Sequence, residues 1–268
     1  MFKLDKTGKE TVLYSFAGGS DGENPVAGLV WDAKGNLYGI TSLGGASGYG
    51  TVFKLDKAGK ETVLHSFTGP AGDGAEPMAG LTRDAKGNLY GTTVYGGSGT
   101  CKNGGLDGCG TVFKLDKTSK ETVLYSFPGT ESDGTYPDAG LVPDAAGNLY
   151  DTTFGGGASG AGTVFKLDKT GKETVLYSFD GADGANPVAG LVWDAKGNLY
   201  GTTYNGASGY GTVFKLEKTG KETVLHSFVG TDGAHPYAGL VRDAKGKLYG
   251  TTYLGGSSDR GTVWKLTP

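Results

Sequence analysis

Methionine and cysteine are almost missing from this 268-residue sequence, with two of each. No apolar run approaches the roughly 18 residues that a membrane-spanning helix needs, so membrane insertion is not expected. Charge of one sign is also lacking. The formal net charge is −3, which leaves no global basic field to gather nucleic acid. No segment carries a helical period, and no phosphate loop, dinucleotide fingerprint or Ser-His-Asp arrangement is present; GGASGYG resembles a phosphate cradle, but no helix follows it. Met1 runs straight into repeat sequence at Phe2-Lys3-Leu4, so no signal peptide is expected in this stretch.

What is present is glycine, 52 residues of it, with abundant Tyr, Phe, Val and Thr, a composition that points to an all-β chain. The glycines fall at fixed offsets between alternating apolar runs and read as turn residues, which supply positive φ at little steric cost. The motif GTVFKL or GTVWKL recurs at Gly50, Gly110, Gly162, Gly211 and Gly261. Its aromatic residue stands at Phe2, Phe53, Phe113, Phe165, Phe214 and Trp264, at intervals of 49 to 60 residues. Five intervals define five units.

Each unit holds four short runs with the period of two expected of strands, for example 79–84, 88–93, 111–116 and 121–127. The first pair is joined by Asp-Ala-Lys-Gly-Asn and the second by Asp-Lys-Thr-Gly-Lys or a close variant, the chemistry of short hairpins. Four antiparallel strands per repeat at this spacing is the propeller signature. The expected fold is a single domain over residues 1–268, an all-β, five-bladed β-propeller. Closure is expected from residues 10–16 pairing with residues 262–266, because the last unit lacks an outer strand and the first supplies an orphan one. Residues 1–4 compete for the same place, and the C-terminal copy, longer and carrying Trp264, is expected to win.

The hairpin turns are nearly identical in every copy, whereas the loops 18–25 and 43–50 and their counterparts vary. Variable loops on a rigid scaffold are where binding usually resides. Five Asp-Gly pairs, at Asp21, Asp73, Asp133, Asp183 and Asp232, form a candidate ligand-binding ring, with calcium as the cation it would take. The same residues also serve as ordinary turn formers, and no metal site with clustered ligands is expected. A single catalytic site must come from positions that break the repeat. Those candidates are Glu76, Asp138, Asp151 (in place of the Gly of YGTT) and His235, an acid/base group of the kind that cleaves glycosides. The alternative for them is drift in exposed loops. Tyr49 and Tyr210, both in SGYG, are exposed candidates for stacking on sugars. His65 and His226 replace Tyr14, Tyr125 and Tyr177 and read as structural. Cys101 and Cys109 lie in an insertion found in one copy and are expected to form a disulfide, which points to an oxidising compartment.

The repeat GTVFKLDKTGKETVLYSF…AGLVWDAKGNLYGTT resembles the GloVer tandem repeat of bacterial choice-of-anchor proteins over essentially the whole chain. The strand-turn-strand AGLVWDAKGNLYG is also similar to the NHL and streptogramin-lyase type of propeller repeat. The GloVer resemblance implies an exported, periplasmic or surface-attached bacterial protein and no defined chemistry. The expectation that follows is a monomeric, non-catalytic extracellular binding or scaffold module with carbohydrate as its ligand class and no cofactor. The alternatives are a polysaccharide hydrolase or lyase with one site near the central opening, and a purely structural repeat protein.

Overall fold

The computed structural model describes residues 1–103, 106–130 and 132–268. Four antiparallel sheets of four strands each follow one another along the chain, with a three-stranded sheet last. Apart from one 3-10 turn at Gly19–Asp21, the described residues form no helix. The backbone falls into two compact units, Met1–Ser126 and Phe127–Pro268.

The first unit holds two complete sheets. One comprises Val30–Trp31, Leu37–Thr41, Thr51–Leu55 and Glu61–Ser66; the other comprises Thr82–Arg83, Leu89–Thr93, Thr111–Leu115 and Glu121–Ser126. The second unit holds Val142–Pro143, Leu149–Thr153, Thr163–Leu167 and Glu173–Ser178, then Val192–Trp193, Leu199–Thr203, Thr212–Leu216 and Glu222–Ser227. Its last sheet has only Val241–Arg242, Leu248–Thr252 and Thr262–Leu266. The expected four strands are therefore present in four repeats and three in the last, with the first of each shortened to two residues.

Alternation within TVFKL decides the packing. The Phe of each third strand is buried and meets, edge to face, the Phe that ends the outer strand of the preceding repeat. These pairs are Phe16–Phe53 and Phe67–Phe113 in the first unit, and Phe127–Phe165, Phe179–Phe214 and Phe228–Trp264 in the second, with ring centroids 5.0 to 5.7 Å apart. Edge-to-face contact adds about 1 kcal/mol per pair beyond the buried area. The hairpin turns are fixed by their aspartates. Asp32 accepts from the backbone amides of Lys34 and Asn36, from Asn36 Nδ2 and from the Tyr38 hydroxyl. Asp84, Asp144, Asp194 and Asp243 repeat most of this set.

Two glycines are dictated by close approach. The Gly of each Asp-Gly pair lies over a bonded pair of threonines: a Cβ on Gly74 would sit 2.4 Å from Thr93 Oγ1, which is itself 2.8 Å from Thr111 Oγ1. The Gly of YGTT lies under the buried aromatic ring, and a Cβ on Gly91 would be 2.6 Å from Phe113 Cζ.

The expected closure is not what forms. Glu10–Val12 pairs with Phe2–Leu4, in the register Phe2↔Val12 and Leu4↔Glu10, so the N-terminal copy and not the C-terminal one holds this strand. Asp5 secures the intervening turn through Thr7 and Lys9, and the N-terminal amine donates to the Tyr14 carbonyl at 2.7 Å. A turn of a few residues closes with far less loss of chain entropy than a partner some 250 residues away. Thr262–Leu266 pairs with Leu248–Thr252 alone among the described residues, and Val263 on this edge is 83% exposed. The expected disulfide is present: Cys101 and Cys109 are joined, with Cα atoms 5.1 Å apart.

Candidate functional site

The five Asp-Gly carboxylates are engaged within the chain. Asp21 accepts from the Tyr14 hydroxyl at 3.0 Å and the Ala17 amide at 2.8 Å. Asp73 is 2.7 Å from His65 Nε2 and accepts from the Thr68 amide and hydroxyl. Asp183 accepts from the Tyr177 hydroxyl and the Asp180 amide, and Asp232 is 2.9 Å from His226 Nε2. Asp133 is buried and accepts from the Gly134 amide. The Tyr-to-His exchange in the outer strand thus preserves one contact, a ring-borne polar tip on the loop aspartate. Among the described residues no three His, Cys, Asp or Glu side chains come together to hold a metal ion.

A measurable consequence follows for Asp73. Burial opposes its ionisation, but His65 and Thr68 together hold its pKa below the usual carboxylate range. His65→Phe leaves the carboxylate short of a partner and is expected to cost about 1–2 kcal/mol in urea denaturation. His65→Tyr, which installs the residue of the sister repeats, is expected to stay within about 0.5 kcal/mol of the parent protein.

The residue before each loop proline carries a left-handed backbone in all five repeats: Asn24, Glu76, Tyr136, Asn186 and His235 have φ between 52 and 59°. Non-glycine residues seldom adopt this conformation, and hydrogen bonds hold it here. The five carbonyls accept from the amides of Ser42, Val94, Phe154, Tyr204 and Tyr253. The amides of Glu76, Asn186 and His235 donate to the carbonyls of Tyr49, Ala161 and Tyr210. The main chain is pinned whatever the side chain.

The strongest exception to the repeat lies in the second unit. Asp151 stands where the other repeats have Gly39, Gly91, Gly201 and Gly250, opposite Phe165 in the sheet. It is 0% exposed, and neither carboxyl oxygen has a hydrogen-bond partner. Burial pushes its pKa well above the carboxylate range; the neighbouring Thr152 amide opposes that shift, and Asp138 adds to it. Asp138 is half-buried and follows Pro137, where other repeats carry Val26, Met78, Val188 and Tyr237. Burial pushes its pKa up to about 6. Tyr237 shares this environment: burial, then the charge of Asp138, raises its phenol. Its ring meets Tyr204 edge to face at 6.2 Å, and Tyr204 stacks on His235 at 4.4 Å. His235 Nδ1 lies 3.1 Å from the Tyr204 carbonyl oxygen.

Three of the four sequence candidates, Asp138, Asp151 and His235, therefore belong to one neighbourhood, joined by Tyr204 and Tyr237. Tyr237 had a signal in the sequence, since it replaces Val or Met after the proline. Tyr204 had a weaker one, as an aromatic residue beside a Gly-rich loop at the position that Phe154 and Tyr253 hold in other repeats. Glu76 lies in the first unit, where burial raises its carboxyl. Tyr210 is 41% exposed, as expected. Tyr49 is not: its ring packs over Gly69, against the core of the first unit.

Solved structures share the fold at low identity. The PQQ-bound aldose sugar dehydrogenase of Streptomyces coelicolor matches 99% of this chain and 86% of its own at 15% identity, with a TM-score of 0.61. The gluconolactonase XC5397 of Xanthomonas campestris matches 93% of this chain and 78% of its own at 18% identity, TM-score 0.53. An extracellular domain from a protein of Bacteroides thetaiotaomicron assigned to the hybrid two-component systems matches 91% of this chain at 12% identity and TM-score 0.56, over 28% of that chain. No curated protein matches the sequence. The expectation of a non-catalytic binding or scaffold module is overturned here, because a lactonase and a sugar dehydrogenase are among the proteins of this fold. The fold is that of β-propellers, and the disulfide accords with an extracellular or periplasmic setting. Residues 1–99 and 98–268 both match the Gloeobacter/Verrucomicrobia repeat, and the chain belongs to that family.

Proposed function

We propose that this chain is an exported hydrolase acting on a small sugar-derived ester, with a lactone as its substrate class. The single observation that carries the proposal is Asp151, a fully buried carboxyl without a partner, beside the half-buried Asp138. Four sister repeats place glycine there because a Cβ meets a packed ring. Two neighbouring carboxyls in a poorly solvated place do not both ionise readily. At neutral pH Asp138, with a pKa of about 6, carries the charge, while burial favours the protonated form of Asp151.

An ionised carboxylate with a pKa close to the working pH is suited to general-base catalysis. Asp138 takes a proton from water, the oxygen adds to the lactone carbonyl carbon, and the ring C–O bond breaks. The departing alkoxide takes the proton that Asp138 has received, which restores the carboxylate. Tyr237, 51% exposed, and the Tyr204–His235 stack offer flat surfaces for a sugar ring. Asp151, being wholly buried, has no access to the substrate. That burial weighs against a glycosidase, in which both carboxyls flank the scissile bond. Polysaccharide cleavage is therefore the second reading.

The likeness to a gluconolactonase supports the substrate class. The disulfide and the likeness to an extracellular domain support export. We further take the five repeats as five blades, the fifth being the three-stranded sheet, on the strength of the repeats and the propeller neighbours. The test is proton release from glucono-δ-lactone and a panel of neutral polysaccharides, followed in a pH-stat. Lactone turnover that falls at least about 100-fold in Asp138→Asn, with the melting temperature retained, is the expected result. Turnover of neither substrate class, or equal turnover by Asp138→Asn, overturns the assignment.

A further inference from the structure

At the hairpin-turn ends of the strands, between the third and fourth sheets of the chain, lies a cavity of about 700 Å³. Two exceptions in one repeat line it. Before the turn aspartate, the other repeats carry Trp31, Arg83, Trp193 and Arg242; here stands Pro143. Within the turn they carry Lys34, Lys86, Lys196 and Lys245; here stands Ala146. In two of the sister repeats the long side chain covers its own turn. The Arg83 and Arg242 guanidinium groups lie about 3 Å from where a Cβ on Gly87 or Gly246 would be. Pro143 and Ala146 carry no such side chain, and both line the cavity.

The cavity has an apolar floor of Leu176, Leu199 and Leu216. One wall is the edge-to-face pair Tyr150–Trp193, with centroids 4.8 Å apart. Most polar groups on the rim are already committed. Asp144 and Asp194 hold their own turns, and Glu217 is paired with Lys215 at 2.9 Å. One buried group is not: the Trp193 indole N–H has no hydrogen-bond partner. A buried donor without an acceptor costs free energy that a ligand can recover. Pockets of this size, mostly apolar with a few polar groups, are the usual form of small-molecule sites.

We infer that this cavity is a second binding site, for an uncharged flat ring compound carrying one hydrogen-bond acceptor such as a carbonyl. The ring packs against the leucine floor and the Tyr150–Trp193 wall, and the acceptor takes the indole N–H. The rim carries Lys166 and Lys218 beside Asp144, Asp194 and Glu217, so it favours neither an anion nor a cation strongly. The site is separate from the proposed hydrolytic one and does not depend on it.

The test is fluorescence titration with Nile red, a neutral fused-ring carbonyl compound whose emission shifts to the blue in apolar surroundings. The parent protein is expected to bind one equivalent saturably. Pro143→Trp combined with Ala146→Lys, which installs residues the sister repeats already accommodate, is expected to weaken binding at least tenfold while the near-ultraviolet circular dichroism is kept. Trp193→Phe retains a ring without the N–H and is expected to weaken binding about fivefold. Asp138→Asn is expected to bind as the parent does, which separates this site from catalysis. Undiminished binding by both cavity variants, or no saturable binding by the parent, overturns the inference.

Discussion

Asp151→Gly is expected to make the protein more stable and less active. The substitution removes a buried carboxyl without a partner, a group that costs about 1–3 kcal/mol. It also restores the residue that four sister repeats place under the aromatic ring. Against this stands the added freedom of glycine in the unfolded chain, about 0.5–1 kcal/mol. The balance favours the variant by roughly 1–2 kcal/mol at pH 7, or about 2–6 °C in melting temperature for a chain of this size. Turnover of the lactone is expected to fall at least about tenfold, because the packing near Asp138 changes, while the acidic limb of the pH–rate profile stays near pH 6, since burial alone raises Asp138. Gain of stability with loss of activity is the mark of a site that trades one for the other. A variant that is more stable and fully active would identify Asp151 as drift.

Stability is expected to peak on the acid side of neutrality, near pH 4–5. Two opposed sets of carboxyls produce the peak. Burial raises Asp138 to about 6 and Glu173 and Glu222 to about 7, with the charges of Asp133 (for Glu173) and of Asp183 and Asp180 (for Glu222) adding to the effect; Asp151 lies higher than its ordinary value too. For these groups the folded state binds the proton more tightly than the unfolded chain. Their contribution is therefore complete below about pH 4 and is lost as the pH rises through 6 and 7. The turn aspartates behave oppositely. At Asp32 burial works against ionisation, but Asn36, Tyr38 and Lys34 outweigh it and bring the pKa down to about 2. That contribution is present above about pH 4 and fades as the pH falls toward 2. With Glu173 and Glu222 half-exposed and their shifts discounted for solvent screening, the loss between pH 5 and 8 is about 2–3 kcal/mol, or roughly 5–10 °C. Calorimetry from pH 3 to 8 checks this. A melting temperature that climbs steadily to pH 8 would show the buried acids to be better solvated than the structure places them. The Asp151→Gly variant is expected to show the shallower slope above pH 5.

The repeat made most of the fold legible. Alternation in TVFKL, the Asp-Ala-Lys-Gly-Asn turns and the regular spacing each depend on local chemistry that a sequence displays directly. Closure was not legible, because Phe2–Leu4 and Thr262–Leu266 are near copies. Pattern cannot rank two equivalent partners, and the nearer one has the lower entropy cost. The site was half legible. Asp138 and Asp151 announced themselves as departures from an otherwise uniform repeat, yet their interaction depends on burial that no pattern encodes. The Tyr-to-His exchange was visible as a substitution, while its partner, the loop aspartate six to eight residues on, emerged only from the hydrogen bonds. Pro143 and Ala146 were equally visible as departures, but a missing side chain declares a cavity only once its neighbours are in place.

The left-handed residues before the loop prolines bear on how such a protein diversifies. Main-chain bonds, not side-chain packing, fix Asn24, Glu76, Tyr136, Asn186 and His235. Four kinds of side chain already occupy one backbone geometry, so each of these positions is a natural site for randomisation, comparable in logic to the tip of an antibody loop. Recognition can be rewritten there one repeat at a time, by selection or by a combinatorial library, while the sheets remain unchanged.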